Sequence, residues 1–145
     1  MKIIIFTDLD GTLLDPKSYS FDKALPALKL IKKTKTPLVF CTSKTREETE
    51  LYRRKLGNKD PFIVENGGAI LIPKNYFPFD FKYDHVDGEY LVIKLGIEYE
   101  KLRKVLESIK KRGIQVVGFG DMSPSEIREH CGVPLEQAEL AKKRE

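Results

Sequence analysis

Apolar positions along the chain fall into short continuous runs, separated by stretches with helical spacing. Ile3 to Thr7 is such a run, rich in β-branched residues, and predicts a strand buried on both faces as in a parallel sheet. Asp15-Pro16-Lys17-Ser18 is loop. Asp22 stands where a helix cap belongs, and Ala24, Leu25, Leu28 and Ile31 then share one face of a helix running to about Lys33. Pro26 falls in its first turn, where amides have no intrahelical partners. Thr36-Pro37 interrupts the chain, and Leu38 to Cys41 predicts a second buried strand with Cys41 in the core. Thr45-Arg46-Glu47-Glu48 has the form of a capping box, which predicts a helix from there to Gly57. Phe62 to Val64 predicts a third strand, and Asn66-Gly67-Gly68 a turn into a fourth over Ala69 to Ile72.

The pattern changes between Pro73 and Asp87, where Phe, Tyr and Pro sit among Lys and Asp without a period. A boundary placed there divides the chain into residues 1–83 and 84–145. The second part predicts a strand (Tyr90 to Leu95), a Lys/Glu-rich helix with a solvated face (Tyr99 to Arg112) and a strand (Ile114 to Phe119). A capped helix from Ser123 to Gly132 and a last helix from Pro134 to Glu145 follow. Strands alternating with helices, then a hairpin, give an α/β fold with an open, Rossmann-type parallel sheet.

Composition narrows the class without naming a function. The chain has 145 residues, 41% hydrophobic and 33% charged, enough for a self-supporting core. Its two cysteines, Cys41 and Cys131, lie far apart and outside any CxxC, which excludes a disulfide scaffold and a cysteine zinc site. No apolar run reaches membrane-spanning length, and Asp8 ends the first one too early for a signal peptide, so the expectation is a cytoplasmic protein with no membrane partner. The net charge of +4 is spread along the chain, which argues against nucleic acid and is compatible with a small anionic ligand.

Chemistry concentrates in Phe6-Thr7-Asp8-Leu9-Asp10-Gly11-Thr12-Leu13. Asp8 and Asp10 flank Leu9 at the end of the first strand, where open α/β sheets bind their ligands. Two carboxylates so close repel unless a cation or a shared proton relieves them. Oxygen-only ligands suit Mg²⁺, so Asp8 and Asp10 are candidate metal ligands. An Asp-Gly turn with Asp10 merely capping it is the plainer reading, but the motif in this structural context outweighs it.

These residues resemble the first motif of the haloacid dehalogenase (HAD) superfamily, Asp-x-Asp-Gly-Thr after the first core strand. The resemblance implies that Asp8 is a catalytic nucleophile forming an aspartyl-phosphate, Asp10 the general acid and base, and Mg²⁺ the cofactor. It makes Thr42, with Ser43 in reserve, the hydroxyl donor to the phosphoryl group at the end of the second strand. Lys44 and Arg46, at the start of the next helix, are further phosphate-binding candidates, and Asn66 in Glu65-Asn66-Gly67-Gly68-Ala69 either touches substrate or orders the first loop. Thr42-Ser43-Lys44-Thr45-Arg46, with that Glu-Asn-Gly-Gly-Ala segment and Ile72 to Asp80, is similar to the mannosyl-3-phosphoglycerate phosphatase family. The implied substrate is then a small phosphosugar, hydrolysed to mannosylglycerate and phosphate. Another phosphosugar, or a non-catalytic receiver-like or regulatory remnant, is the alternative.

By the same resemblance the chain holds part of a HAD-like core followed by the start of an α+β cap from Asp84. The family's third-motif Lys and fourth-motif acidic segment would follow the cap, and neither is found before Glu145. Weak or absent activity of this chain alone is therefore expected. The first strand would also be a sheet edge, open to a homodimer or to a complementing C-terminal polypeptide. His85 and His130 are too few, and too far from the acids, to serve as a triad or a metal site.

Overall fold

The computed structural model describes residues 3–144. Six strands form one sheet in the order β1-β2-β3-β4-β6-β5. β1 (Ile5–Thr7), β2 (Leu38–Cys41) and β3 (Phe62–Val64) run parallel, and β4 (Ala69–Pro73), β6 (Tyr90–Lys94) and β5 (His85–Asp87) add antiparallel neighbours. The α/β class follows from the parallel half. Its crossovers carry α1 (Leu25–Thr34) and α2 (Arg46–Leu56), while the short Glu65 to Gly68 turn forces the next strand to return antiparallel.

Ile5 pairs in register with Leu38, Thr7 with Phe40, and Phe40 with Phe62, so these side chains share the face that the helices cover. Leu9, Leu14, Phe40, Tyr52 and Phe62 are the center of that core, and Leu38, Val64 and Leu71 extend it. Each fully buried side chain of this kind contributes roughly 1.5–3 kcal/mol of transfer free energy. The other face is less complete. Phe6 shares it with Val39, yet Phe6 is 61% exposed, so β1 is not buried on both faces as its composition suggested. Cys41, expected in the core, is exposed for the same reason, being the last β2 residue on that face.

The helices follow their caps closely. Thr45 caps α2 with a complete capping box, and Gly57 ends it in the left-handed conformation at φ 64°. Asp22, expected to cap α1, instead opens a single 3₁₀ turn (Asp22–Ala24) with no side-chain cap, and α1 starts after it. The aperiodic stretch before His85 does not interrupt the sheet, since β6 pairs with β4 along five residues. Within that stretch Tyr76, Phe77, Phe79, Phe81 and Tyr83 contact one another ring to ring.

Beyond the sheet lie α3 (Tyr99–Lys111), α4 (Pro124–Cys131) and α5 (Leu135–Ala141). The strand expected over Ile114 to Phe119 is absent; Phe119–Asp121 is a 3₁₀ turn. Asp121 accepts the Gly118 N–H at 2.9 Å and pairs with Arg103 and Lys110 of α3, folding the segment back before it can pair as a strand. α3 buries no residue, whereas α5 buries Gln137, Ala138 and Ala141 against the molecule. The last helix, expected from Pro134 to Glu145, stops at Ala141 with Lys142 as its C-cap, and Glu145 lies outside the described residues.

Candidate active site

β1 delivers Asp8 and Asp10 to its carboxyl end, with Leu9 between them fully buried and anchoring the loop. The loop closes on main-chain bonds from Thr12 and Leu14 to the Leu9 carbonyl, at 3.3 and 2.8 Å. Gly11 makes this possible by taking φ 68°, a conformation unfavourable for residues with a Cβ. Asp8 Oδ1 accepts the Leu9 N–H at 2.6 Å. Asp10 Oδ2 lies 3.1 Å from Lys44 Nζ. Each acid thus keeps one oxygen without a protein partner among the described residues, and both residues are exposed.

Thr42 to Thr45 join the end of β2 to α2, next to the acid-bearing strand because β2 pairs with β1; Asp8 and Thr42 are not among the residues that line the cavity beside Asp10 and Ser43. Thr42 is buried, and its hydroxyl oxygen accepts the Lys44 N–H at 3.3 Å, which leaves its own proton available. Ser43 is exposed and lines a cavity of about 260 Å³ together with Asp10 and Lys44. α4, α5 and the segments flanking them close the far side of this cavity with Ile127, Cys131 and Arg144. A larger hollow, about 460 Å³, lies by Pro37 and Asp60 at the opposite end of the sheet, away from both acids.

Lys44 is the site's central charge. Its side chain is only 5% exposed, its ammonium also lies 3.4 Å from Glu48 Oε1, and the rings of Tyr19 and Tyr52 flank it. Burial works against the ammonium, but the carboxylates of Glu48 and Asp10 outweigh it and hold the Lys44 pKa above its ordinary value. The same burial pushes the neighbouring Tyr52 phenol up. Glu48 is itself fixed, accepting from Thr45 N and Thr45 Oγ1 at 2.9 and 3.1 Å.

The remaining candidates are placed differently. Arg46, expected beside a phosphate, turns toward β5, pairing with Glu50 and Asp87 and stacking over Tyr90. Asn66 reaches the site through its backbone: its N–H donates to the Thr42 carbonyl at 3.0 Å, as Glu65 N–H does to that of Lys44. Glu65 and Asn66 both hold positive φ, which locks the β3–β4 turn against the Thr42–Lys44 loop. Glu48, Tyr19, Tyr52 and Arg144 were not anticipated as site residues; the capping box gave the only local signal, and it pointed to Glu48 as a cap alone.

The donor set suits a hard cation in part. Two carboxylates with free oxygens and backbone carbonyls match Mg²⁺, which takes few protein ligands and keeps waters. Among the described residues no group of three or more His, Cys, Asp or Glu side chains assembles, so this pair supplies only part of a coordination shell. No described helix is long and apolar enough to cross a membrane.

Comparison with known proteins shows what the chain is similar to. A glucosyl-3-phosphoglycerate/mannosyl-3-phosphoglycerate phosphatase of Methanococcoides burtonii is 51% identical over 146 residues, covering 100% of this chain and 54% of that protein. One from Persephonella marina is 48% identical, covering 99% and 52%. The mannosyl-3-phosphoglycerate phosphatase of Pyrococcus furiosus is 43% identical, covering 98% and 57%. The chain therefore spans about half the length of the curated relatives it matches. A HAD-like hydrolase from B. subtilis superposes with a TM-score of 0.55 at 19% identity, covering 99% of this chain and 50% of its own. A HAD-superfamily protein from Bacteroides thetaiotaomicron does so with a TM-score of 0.57 at 17% identity, covering 93% and 48%. At those identities the likeness is one of fold. Residues 5–123 match the haloacid dehalogenase-like hydrolase family, a span that takes in the acid-bearing strand and the whole sheet built beside it, and the chain belongs to that family.

Proposed function

We propose that this chain carries the nucleophile-bearing part of a Mg²⁺-dependent phosphomonoester hydrolase acting on phosphosugars. The names of the relatives favour mannosyl-3-phosphoglycerate, cleaved to mannosylglycerate and phosphate. The observation that supports the reading is the pair Asp8 and Asp10 at the carboxyl end of β1, each with an unengaged oxygen, with Asp10 lining one cavity with Ser43 and Lys44. An Asp8 carboxylate oxygen attacks phosphorus, the ester P–O bond breaks, and protonated Asp10 gives its proton to the departing alkoxide. Asp10 then takes a proton from the water that attacks the aspartyl-phosphate, releasing phosphate and restoring Asp8. The Thr42 and Ser43 hydroxyls donate to phosphoryl oxygens, and the α2 N-terminus adds partial positive charge. Mg²⁺, held by the Asp8 carboxylate and the Asp10 carbonyl, would neutralise charge on the phosphoryl group.

The free edge of β1 supports a polypeptide partner. Ile3, Ile4 and Phe6 are more than half exposed beside an unpaired strand edge, an arrangement that favours addition of another strand. In this reading a second copy, or a polypeptide equivalent to the rest of the relatives' length, docks there. The residues from about Asp84 onward would begin the cap.

The test is phosphate release from mannosyl-3-phosphoglycerate and from p-nitrophenyl phosphate, with and without Mg²⁺, by the chain alone and mixed with the C-terminal half of the M. burtonii relative. Asp8→Asn is expected to lower turnover about a thousandfold or more. Turnover that survives Asp8→Asn overturns the nucleophile assignment. Activity that appears only on mixing supports the partner, and full activity of a monomeric chain removes the need for one.

A further inference from the structure

We propose that Lys44 is a positioning residue for Asp10 rather than a phosphate ligand. The inference deepens the reading above and rests on Asp10 as the group that moves the proton. Lys44 follows Ser43 at a helix entrance, where a lysine would ordinarily reach into solvent or toward an anion. Here it points inward. Its ammonium faces Asp10 Oδ2 at 3.1 Å and Glu48 Oε1 at 3.4 Å, with the Tyr19 and Tyr52 rings on its flanks.

The support behind it is rigid. Glu48 is held by the Thr45 N–H and hydroxyl, and Thr45 is the cap of α2, so the position of Nζ is set by the helix itself. Lys44 is also pinned along its main chain, its N–H on Thr42 Oγ1 and its carbonyl on Glu65 N–H. A long flexible side chain is thereby fixed, and it fixes one oxygen of Asp10 in turn. The other Asp10 oxygen has no partner among the described residues, and Asp10 lines the cavity in which a leaving group would sit. A general acid works only when its proton is aimed at the leaving oxygen, and a displacement of about 1 Å costs on the order of a hundredfold in rate. Lys44 also places a positive charge beside an acidic loop that would otherwise repel itself.

The two roles separate by leaving group. p-Nitrophenolate departs without protonation, whereas an alkoxide needs the proton. Lys44→Met is therefore expected to cut kcat/KM for glycerol phosphate about tenfold more than for p-nitrophenyl phosphate, a skew shared with Asp10→Asn and narrowed by Lys44→Arg. Binding of inorganic phosphate, measured by calorimetry, is expected to change less than about threefold. An equal loss on both esters with phosphate binding weakened tenfold or more overturns the proposal and makes Lys44 a ligand. If Asp10→Asn itself shows no skew, the role given to Asp10 fails instead.

Two further arms cover the remaining outcomes. Where Lys44→Met does not fold because Glu48 is left buried without its partner, Lys44→Met with Glu48→Gln removes both charges and is read in the same way. Where the chain turns over neither ester, the carboxyl ¹³C resonance of Asp10 is the readout. It is expected to move in Lys44→Met and to stay near its wild-type position in Lys44→Arg. A resonance unmoved by Lys44→Met overturns the proposal.

Discussion

Gln137 Nε2 donates to the Tyr52 hydroxyl at 2.8 Å across 85 residues of sequence, and so ties α5 to α2. Both side chains are buried. Gln137 Oε1 has no partner among the described residues, so the amide is only half satisfied. Tyr52→Phe is expected to cost about 1–2 kcal/mol, because it leaves the whole amide unpaired. Gln137→Met strands the buried Tyr52 hydroxyl in its turn and is expected to cost a similar amount, whereas Tyr52→Phe with Gln137→Met removes both partners and the orphaned carbonyl and is expected to stay within about 1 kcal/mol of wild type. Urea unfolding of the two single variants and the double variant checks the non-additivity.

Arg53 is a buried cation with no carboxylate bonded to it among the described residues. It donates to the Tyr90 hydroxyl at 2.7 Å and to the Asp60 carbonyl at 2.8 Å, and its guanidinium lies 4.2 Å from the Phe62 ring centroid. Lysine has neither the planar face nor the fork to reproduce these contacts. Arg53→Lys is expected to destabilise by about 2–3 kcal/mol in chemical denaturation, although it keeps the charge.

Tyr76 sets a stability limit at high pH. Burial, together with the Asp60 carboxylate that accepts from its hydroxyl at 2.8 Å, pushes its pKa up to about 12 from 10.0. A pKa raised on folding gives a contribution that is whole below the unfolded value and lost as pH climbs through the folded one. Stability is therefore expected to fall between about pH 10 and pH 12. Spectrophotometric titration of Tyr76→Phe should lose one equivalent from the latest-ionising phase, and its stability should depend less on pH in that window.

Asp121 works at the other end of the scale. Arg103, the Gly118 N–H and Lys110 hold its carboxyl well below the ordinary range. A depressed pKa contributes above the unfolded value and is lost as pH falls through the folded one. The Phe119–Asp121 turn is thus expected to loosen only in strong acid, below the ordinary carboxylate range, while Asp121→Asn should loosen it at neutral pH. Amide exchange at Gly118 is the measurement, and unchanged protection in the variant would count against the account given for the missing strand.

The acid pair, the two parallel crossovers and both capping boxes were legible in the sequence because each rests on neighbours. Asp8-Leu9-Asp10-Gly11 is a local motif, and Thr45 with Glu48 is a cap that a three-residue spacing specifies. Cys41 and Phe6 were misread because an apolar run reports affinity for a core without reporting which face finds one. Ile114 to Phe119 has strand composition but meets no strand edge, and Asp121 folds it back instead. Above all, only tertiary structure turned Lys44 inward toward Asp10 and Arg46 outward toward Asp87. Two cations two residues apart read alike in a sequence, and which carboxylate each meets is decided by the packing of distant elements around the helix that carries both.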